Sequence, residues 1–237
     1  MKDKLSFVLL LLPLIFVLSC SQGDVGPTGP TGEDAAVLQF QSGNYPSDAY
    51  TGVTDCYLEG GWAADTNYGT IDYFFIGRYK SGMHNGKERA LLKFDLSELQ
   101  NQHIKIKKAD IILYCYMLSP SSTTITVTPY EINKYWEETE ATWNSSETGT
   151  NWNTAGGDYS TTPVGNSLYI DKSGEYKIFS INPSIVQKWI DNPQNNFGLI
   201  FISDTENINE DRWAGFYSTD NSTVSYRPKL VIYYTLN

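Results

Sequence analysis

From Val37 onward the chain is built of short apolar or alternating runs, broken every few residues by clusters of Gly, Asn, Asp, Ser and Thr. This punctuation is the tightest constraint on its fold. Apolar residues at a helical period would have to recur every three or four positions over ten or more residues, and these runs are too short and too often interrupted. The clearest lie at 73–78, 89–95, 109–118, 124–131, 176–181, 197–203, 212–218 and 229–235. Eight or more strands with no helices between them predict an all-β protein. The expected architecture is a two-sheet antiparallel β-sandwich, jelly-roll-like, spanning 37–237. One short helix is expected within it. Asn182 can cap it, Pro183 suits its first position, and Ile185, Val186, Trp189 and Ile190 share a face before Asn192-Pro193 ends it. That face should plug an end or edge of the sandwich.

Alternation along a strand sorts side chains by face. In 109–118 the set Ala109, Ile111, Leu113, Cys115 and Met117 is the apolar one and is expected inside, leaving Tyr114 and Tyr116 outside. Ala90, Leu92 and Phe94 should face the core with Arg89, Leu91 and Lys93 outward; Phe74 and Ile76 inward with Tyr73 and Phe75 outward. Ala214 and Phe216 inward would turn Trp213 and Tyr217 outward. If these strands share a sheet, its outer face is an aromatic surface with two cations.

The first 36 residues are of another kind. A short charged start (Lys2, Asp3, Lys4) leads into an apolar run from Phe7 to Leu18, which is too short to span a bilayer comfortably and ends at Ser19-Cys20. That layout resembles a bacterial lipoprotein signal. It implies cleavage after residue 19, lipidation of Cys20, and a protein of the bacterial cell envelope, lipid-anchored at the outer membrane or cell surface. Gly23, Gly26, Gly29 and Gly32 then recur every third residue, with Pro27 and Pro30 after two of them. The segment 20–36 therefore reads as a collagen-like spacer, too short to hold three chains together, and a monomer is expected. Cys56 and Cys115 remain; oxidation in an exported protein and burial as free thiols are both open to them.

The chain has a net charge of -10, which disfavours nucleic acid. Its 2 His and 3 Cys are too few for a His/Cys zinc site. Hydrolase and phosphate-binding motifs (Gly-x-Ser-x-Gly, His-Glu-x-x-His, Gly-x-x-x-x-Gly-Lys) are absent from the sequence. Glu137 and Glu138 are adjacent acids with nothing to place them across a sugar, so the domain is expected to be non-catalytic. Hard oxygen ligands make Ca²⁺, in a structural role, the metal to consider. Asp204, Glu206, Asn209 and Asp211 form one oxygen-rich loop, and Asp55 with Asn67 forms a second candidate.

Several segments together carry a family pattern. They are Thr54-Asp55-Cys56-Tyr57-Leu58, Asp65-Thr66-Asn67-Tyr68-Gly69, Arg89-Ala90-Leu91-Leu92-Lys93-Phe94-Asp95-Leu96-Ser97, Trp136-Glu137-Glu138 ahead of Ala141-Thr142-Trp143-Asn144, Asn196-Phe197-Gly198-Leu199 and Arg227-Pro228-Lys229-Leu230. Their order resembles the DNRLRE domain family, also classed as carbohydrate-binding module family 96, over about 37–237. The resemblance implies a β-sandwich of secreted or surface proteins, with alginate-like glycans bound by some members. The acid excess weighs against an anionic glycan here, with Arg89 and Lys93 as the counterweight. The expected ligand is a polysaccharide, contacted by Tyr73, Phe75, Arg89, Lys93, Tyr114, Tyr116 and Trp213, with loop Trp residues such as Trp62 and Trp152 at the rim. The alternative is a structural or adhesive surface protein contacting protein or matrix.

Overall fold

The structure is a computed structural model that describes residues 35–236. The leader, Cys20 and all but the last two residues of the Gly-x-y spacer lie outside the described residues.

Fourteen strands and one α-helix follow in order among the described residues: β1 (Ala36–Phe40), β2 (Val53–Glu59), β3 (Tyr73–Ser81), β4 (His84–Phe94), β5 (Ile104–Ser119), β6 (Ile125–Ile132), β7 (Ser145–Glu147), β8 (Thr150–Asn151), β9 (Tyr159–Pro163), β10 (Leu168–Ile170), β11 (Glu175–Ile181), α1 (Pro183–Asp191), β12 (Leu199–Ser203), β13 (Arg212–Tyr217) and β14 (Lys229–Leu236). All eight runs read from the sequence are strands, every strand pairing is antiparallel, and the fold is a sandwich.

Two long strands build the layers by changing partners. β5 pairs with β14 over Ile104–Ile112, with β11 over Ala109–Cys115, and with β13 over Cys115–Ser119. β4 pairs with β3 only as far as Glu88; beyond it, its partners are β2 and β12. One layer therefore carries β1, β14, β5, β11, β13 and β3; the other carries β2, β4, β12, β6, β9 and β10. The hydrogen-bonded path turns between them at the β3–β4 hairpin. Gly77, at φ +141°, lies where β3 meets β13 and β4; a Cβ there would come within 2.3 Å of the Arg212 carbonyl.

The main core fills the space between the layers. Phe179 on β11 meets Phe201 on β12 edge to face at 5.1 Å. Ala90, Leu92, Phe94, Ile111, Leu113 and Ile232 are buried around them. Asn182 caps α1 by accepting from the Ser184 N–H at 3.1 Å, and Val186, Trp189 and Ile190 are buried, as the helix face predicts.

Met117 departs from the expected alternation. Phe216 pairs with Cys115 and Gly215 with Met117, so Tyr116 is an extra residue in β5. Such a bulge shifts the facing of everything after it. Tyr116 and Met117 both point outward, Met117 is 37% exposed, and Leu118 turns into the core.

The second departure is larger. The outer side of β2, β4 and β12 is not a surface. Cys56, Leu58, Leu91 and Ile200 carry a second core, closed by Trp136, Ala141 and Trp152 from the long excursion after β6. The indole N–H groups of Trp136 and Trp152 donate to the carbonyls of Phe197 (2.8 Å) and Thr142 (2.9 Å). Cys56 belongs to this core and Cys115 to the main one; both are free thiols, pushed up by burial to about 12 and about 11.

Candidate functional site

The expected aromatic face exists on the layer that holds β3, β5 and β13. Rings follow one another from Trp213 to Phe75 (4.5 Å), Phe75 to Tyr73 (4.8 Å), Tyr73 to Tyr116 (6.3 Å), Tyr116 to Tyr217 (4.7 Å) and Tyr217 to Tyr114 (5.8 Å). The row continues from Tyr114 to Tyr226 (4.2 Å) and Tyr176 (5.0 Å). Strand alternation places most of these residues, and two local features complete the row. The bulge keeps Tyr116 outward, and Gly215 leaves room for its ring: a Cβ at 215 would lie 2.9 Å from it.

Tyr114, Tyr116, Tyr217 and Tyr226 lie within 30° of parallel where they stack. Their faces are turned toward one another, so the stack offers ring edges and phenolic hydroxyls. The turn Val224–Tyr226 leans on the Tyr114 end, where the Tyr176 hydroxyl donates to the Ser225 carbonyl at 3.2 Å. Toward the Trp213 end Tyr73 and Tyr116 are half-buried, and Phe75 sits between Tyr73 and Trp213 with the Tyr57 ring 5.6 Å away. Burial, with the neighbouring Tyr73 and Tyr217 and then Asp72, pushes the Tyr116 phenol upward, so it stays a neutral donor. Trp213 closes the row rather than rimming it: Phe75 and Tyr79 cover it, and it is 7% exposed.

Arg89 and Lys93 are not on this face. Both follow the point where β4 leaves β3, so they belong to the other layer. Arg89 is buried and fully engaged. Its Nε and Nη2 donate to the two carboxylate oxygens of Glu206 (2.6 and 2.8 Å), and Nη1 donates to the Gly156 carbonyl (2.8 Å). Its guanidinium lies against the rings of Trp143 and Tyr159 at 4.9 and 5.4 Å. Lys93 is half-buried at the edge of a groove of about 860 Å³, its Nζ 5.3 Å from the Trp136 ring and 5.9 Å from the Tyr135 ring.

The two oxygen-rich candidates are also drawn into the fold. Glu206 is taken by Arg89. Asp204 accepts from the Thr126 N–H (2.9 Å), Asn209 from Lys80 Nζ (2.6 Å), and Asp211 from the Lys80 N–H (2.8 Å) and the Ser119 hydroxyl (3.0 Å). These contacts staple the loop to the middle of β4 and to the ends of β3, β5 and β6 instead of converging its oxygens on a point. Asn67 donates to the carbonyls of Glu138 and Ala141 and accepts from Gly69, while Asp55 accepts from the Thr219 N–H at 2.7 Å. Among the described residues no three His, Cys, Asp or Glu side chains are grouped to hold a metal ion.

Sequence reasoning missed Tyr226, Tyr176 and the groove. Tyr226 sits on a 3₁₀ turn that folds back over the sheet, where no strand alternation predicts its direction. The groove is framed by loops with no periodic signal. Of the Trp residues expected at a rim, Trp152 is in the second core, and Trp62 is 72% exposed beside His84.

Residues 46–234 match the family model of carbohydrate-binding module family 96. No curated protein matches the chain.

Proposed function

Because the chain belongs to carbohydrate-binding module family 96, we propose that it is the carbohydrate-binding domain of an exported lipoprotein, tethered through lipidated Cys20 at the bacterial cell envelope, and that it contacts polysaccharide without cleaving it. The contact face is the tyrosine row, with Tyr73, Phe75, Tyr116 and Tyr114 as the principal contacts. One observation carries this: the unbroken succession of half-buried rings from Phe75 to Tyr226 on the outer face of one layer. Edge-on tyrosines offer sugar hydroxyls donors and acceptors beside apolar ring edges, a combination suited to a ligand with one polar and one apolar side. Catalysis would call for two carboxyls facing each other across a bound sugar, and the row carries none. Arg89 is excluded from the contact set because Glu206 holds it.

Affinity electrophoresis of the whole chain through gels containing neutral or acidic polysaccharides tests the reading. Retardation by one polymer is expected, weakened about tenfold or more by Tyr116→Ala, a loss of roughly 1.4 kcal/mol. Unretarded migration through every gel would transfer the assignment to a structural or adhesive surface protein. Repeating the runs with calcium and with a chelator decides whether Ca²⁺ takes part.

A further inference from the structure

The groove beside Lys93 lies on the opposite layer from the tyrosine row and has the makings of a site of its own. Its walls come from separate parts of the chain: Tyr50 and Thr54 on one side, Lys93 and Asp95 at the end of β4, and Tyr135 and Phe197 on the other. At about 860 Å³ it falls within the size range of ligand clefts. Ser47, Asp95, Glu98 and Tyr135 are exposed along it.

Its groups divide into those already used and those left over. The Tyr50 hydroxyl donates to the Asp95 carbonyl at 2.9 Å, and the Asn196 amide donates to the Phe94 carbonyl at 2.7 Å. These bonds fix the walls. The Tyr135 hydroxyl donates to Glu137 at 2.6 Å, which anchors its ring while leaving the residue 45% exposed. Among the described residues Lys93 Nζ makes no ion pair, and it rests on the Tyr135 and Trp136 rings. The groove therefore presents an anchored aromatic ring beside an ammonium with hydrogen-bond donors to spare. A sugar ring can lie against the first, and its hydroxyl oxygens can accept hydrogen bonds from the second.

Charge selects among sugars. Asp95 and Glu98 line the groove, and Glu137, Glu138 and Asp95 act electrostatically on Lys93. One ammonium and two carboxylates line the groove, with two more acids close enough to act on that ammonium, so a polyuronate or sulfated chain would meet net repulsion, whereas an uncharged chain would not. We propose that this groove is a second saccharide cleft, separate from the tyrosine row, and that it takes an uncharged polysaccharide chain; the inference rests on the carbohydrate-binding reading.

Titration calorimetry of the whole chain against neutral hexasaccharides (gluco-, manno- and xylo-configured) and hexagalacturonate tests it. A neutral hexasaccharide is expected to bind, and hexagalacturonate at least about tenfold more weakly. Tyr135→Ala should weaken the neutral ligand about tenfold or more, Tyr135→Phe should retain it because the ring remains, and Tyr169→Ala, exposed on β10, should match the parent. Neutral binding that survives Tyr135→Ala unchanged would overturn the groove while leaving the family's function intact. Tighter binding of hexagalacturonate, lost in Tyr135→Ala, would overturn the uncharged class. Silence toward every saccharide would remove the carbohydrate-binding reading itself.

Discussion

Asp55 illustrates how much one side chain can be asked to do in this fold. It is 2% exposed. Its Oδ2 accepts from the Thr219 N–H at 2.7 Å, and its own N–H donates to Glu138 at 2.9 Å, so it ties β2 to two distant loops. Burial pushes its carboxyl up to about 7, opposed by the Thr219 bonds and aided by Glu138 and Asp220. Burial also raises Glu138, and Glu88 well above the usual carboxylate range. A carboxyl that holds its proton more tightly folded than unfolded stabilises most fully below its ordinary value, and that stability is lost as pH rises through the folded value. The window for Asp55 runs from about pH 4 to about pH 7. Asp55→Asn removes the ionisation but keeps an acceptor for Thr219. The variant's melting temperature relative to the parent should rise between pH 5 and pH 8 by several degrees; a gap that stayed constant or narrowed would contradict the assignment. Arg89 supplies a second residue-scale test. Strand alternation predicts it on the outer face as a ligand contact, and it is instead half of a buried bidentate pair. Removing one partner of such a pair leaves an uncompensated charge, at a cost of about 3–5 kcal/mol. Chemical denaturation should show that loss for Arg89→Ala, whereas Lys93→Ala should cost no more than about 2 kcal/mol, the scale of a half-buried cation–π contact.

Among the elements, the excursion between β6 and β9 did most to change the reading. Leu91 alternates with Ala90 and Leu92, and periodicity alone sends it to solvent. What buries it is a loop segment whose Trp136 and Trp152, 45 and 61 residues further along, have no strand period to betray their direction. The same limit explains Met117: one unpaired residue in β5 reverses the facing after it, and a bulge leaves no mark in an alternating pattern. Within an uninterrupted strand the facing was legible, as Phe74, Ile76, Ala90 and Ile111 attest, and so was the helix, because its Asn-Pro start is local chemistry. Partner choice was not legible. Nothing in residues 84–94 states that β4 quits β3 at Glu88, and that single exchange separates Arg89 and Lys93 from the tyrosines they were grouped with. If Trp136 is the keystone of the second core, Trp136→Ala should cost about 3–5 kcal/mol. Hydrogen exchange should then rise over 133–158 while β5 and β14, in the main core, keep their protection. Uniform loss of protection would mean that the two cores unfold as one unit.

On the scale of the whole molecule, two cores share one continuous hydrogen-bonded path, and the candidate contact surfaces sit on opposite layers of it. The strand that opens the described residues is part of that path: β1 pairs with β14 from Ala36↔Tyr234 to Phe40↔Leu230, and Phe40 is fully buried. The first strand is thus zipped to the last, and the Gly-x-y segment precedes this junction in sequence. The family match begins later, at residue 46. Attachment and recognition should therefore be separable by mutation. Cys20→Ala is expected to abolish incorporation of radiolabelled palmitate and to move the protein from the membrane to the soluble fraction of a bacterial host. The same variant should run with unchanged retardation in a polysaccharide gel, since the contacts assigned to sugar all lie within 46–234. Palmitate still incorporated after Cys20→Ala would remove the anchor from that position. Retardation lost together with the lipid would mean that sugar recognition depends on the anchored state, a coupling that the tyrosine row and the groove, as described, do not supply.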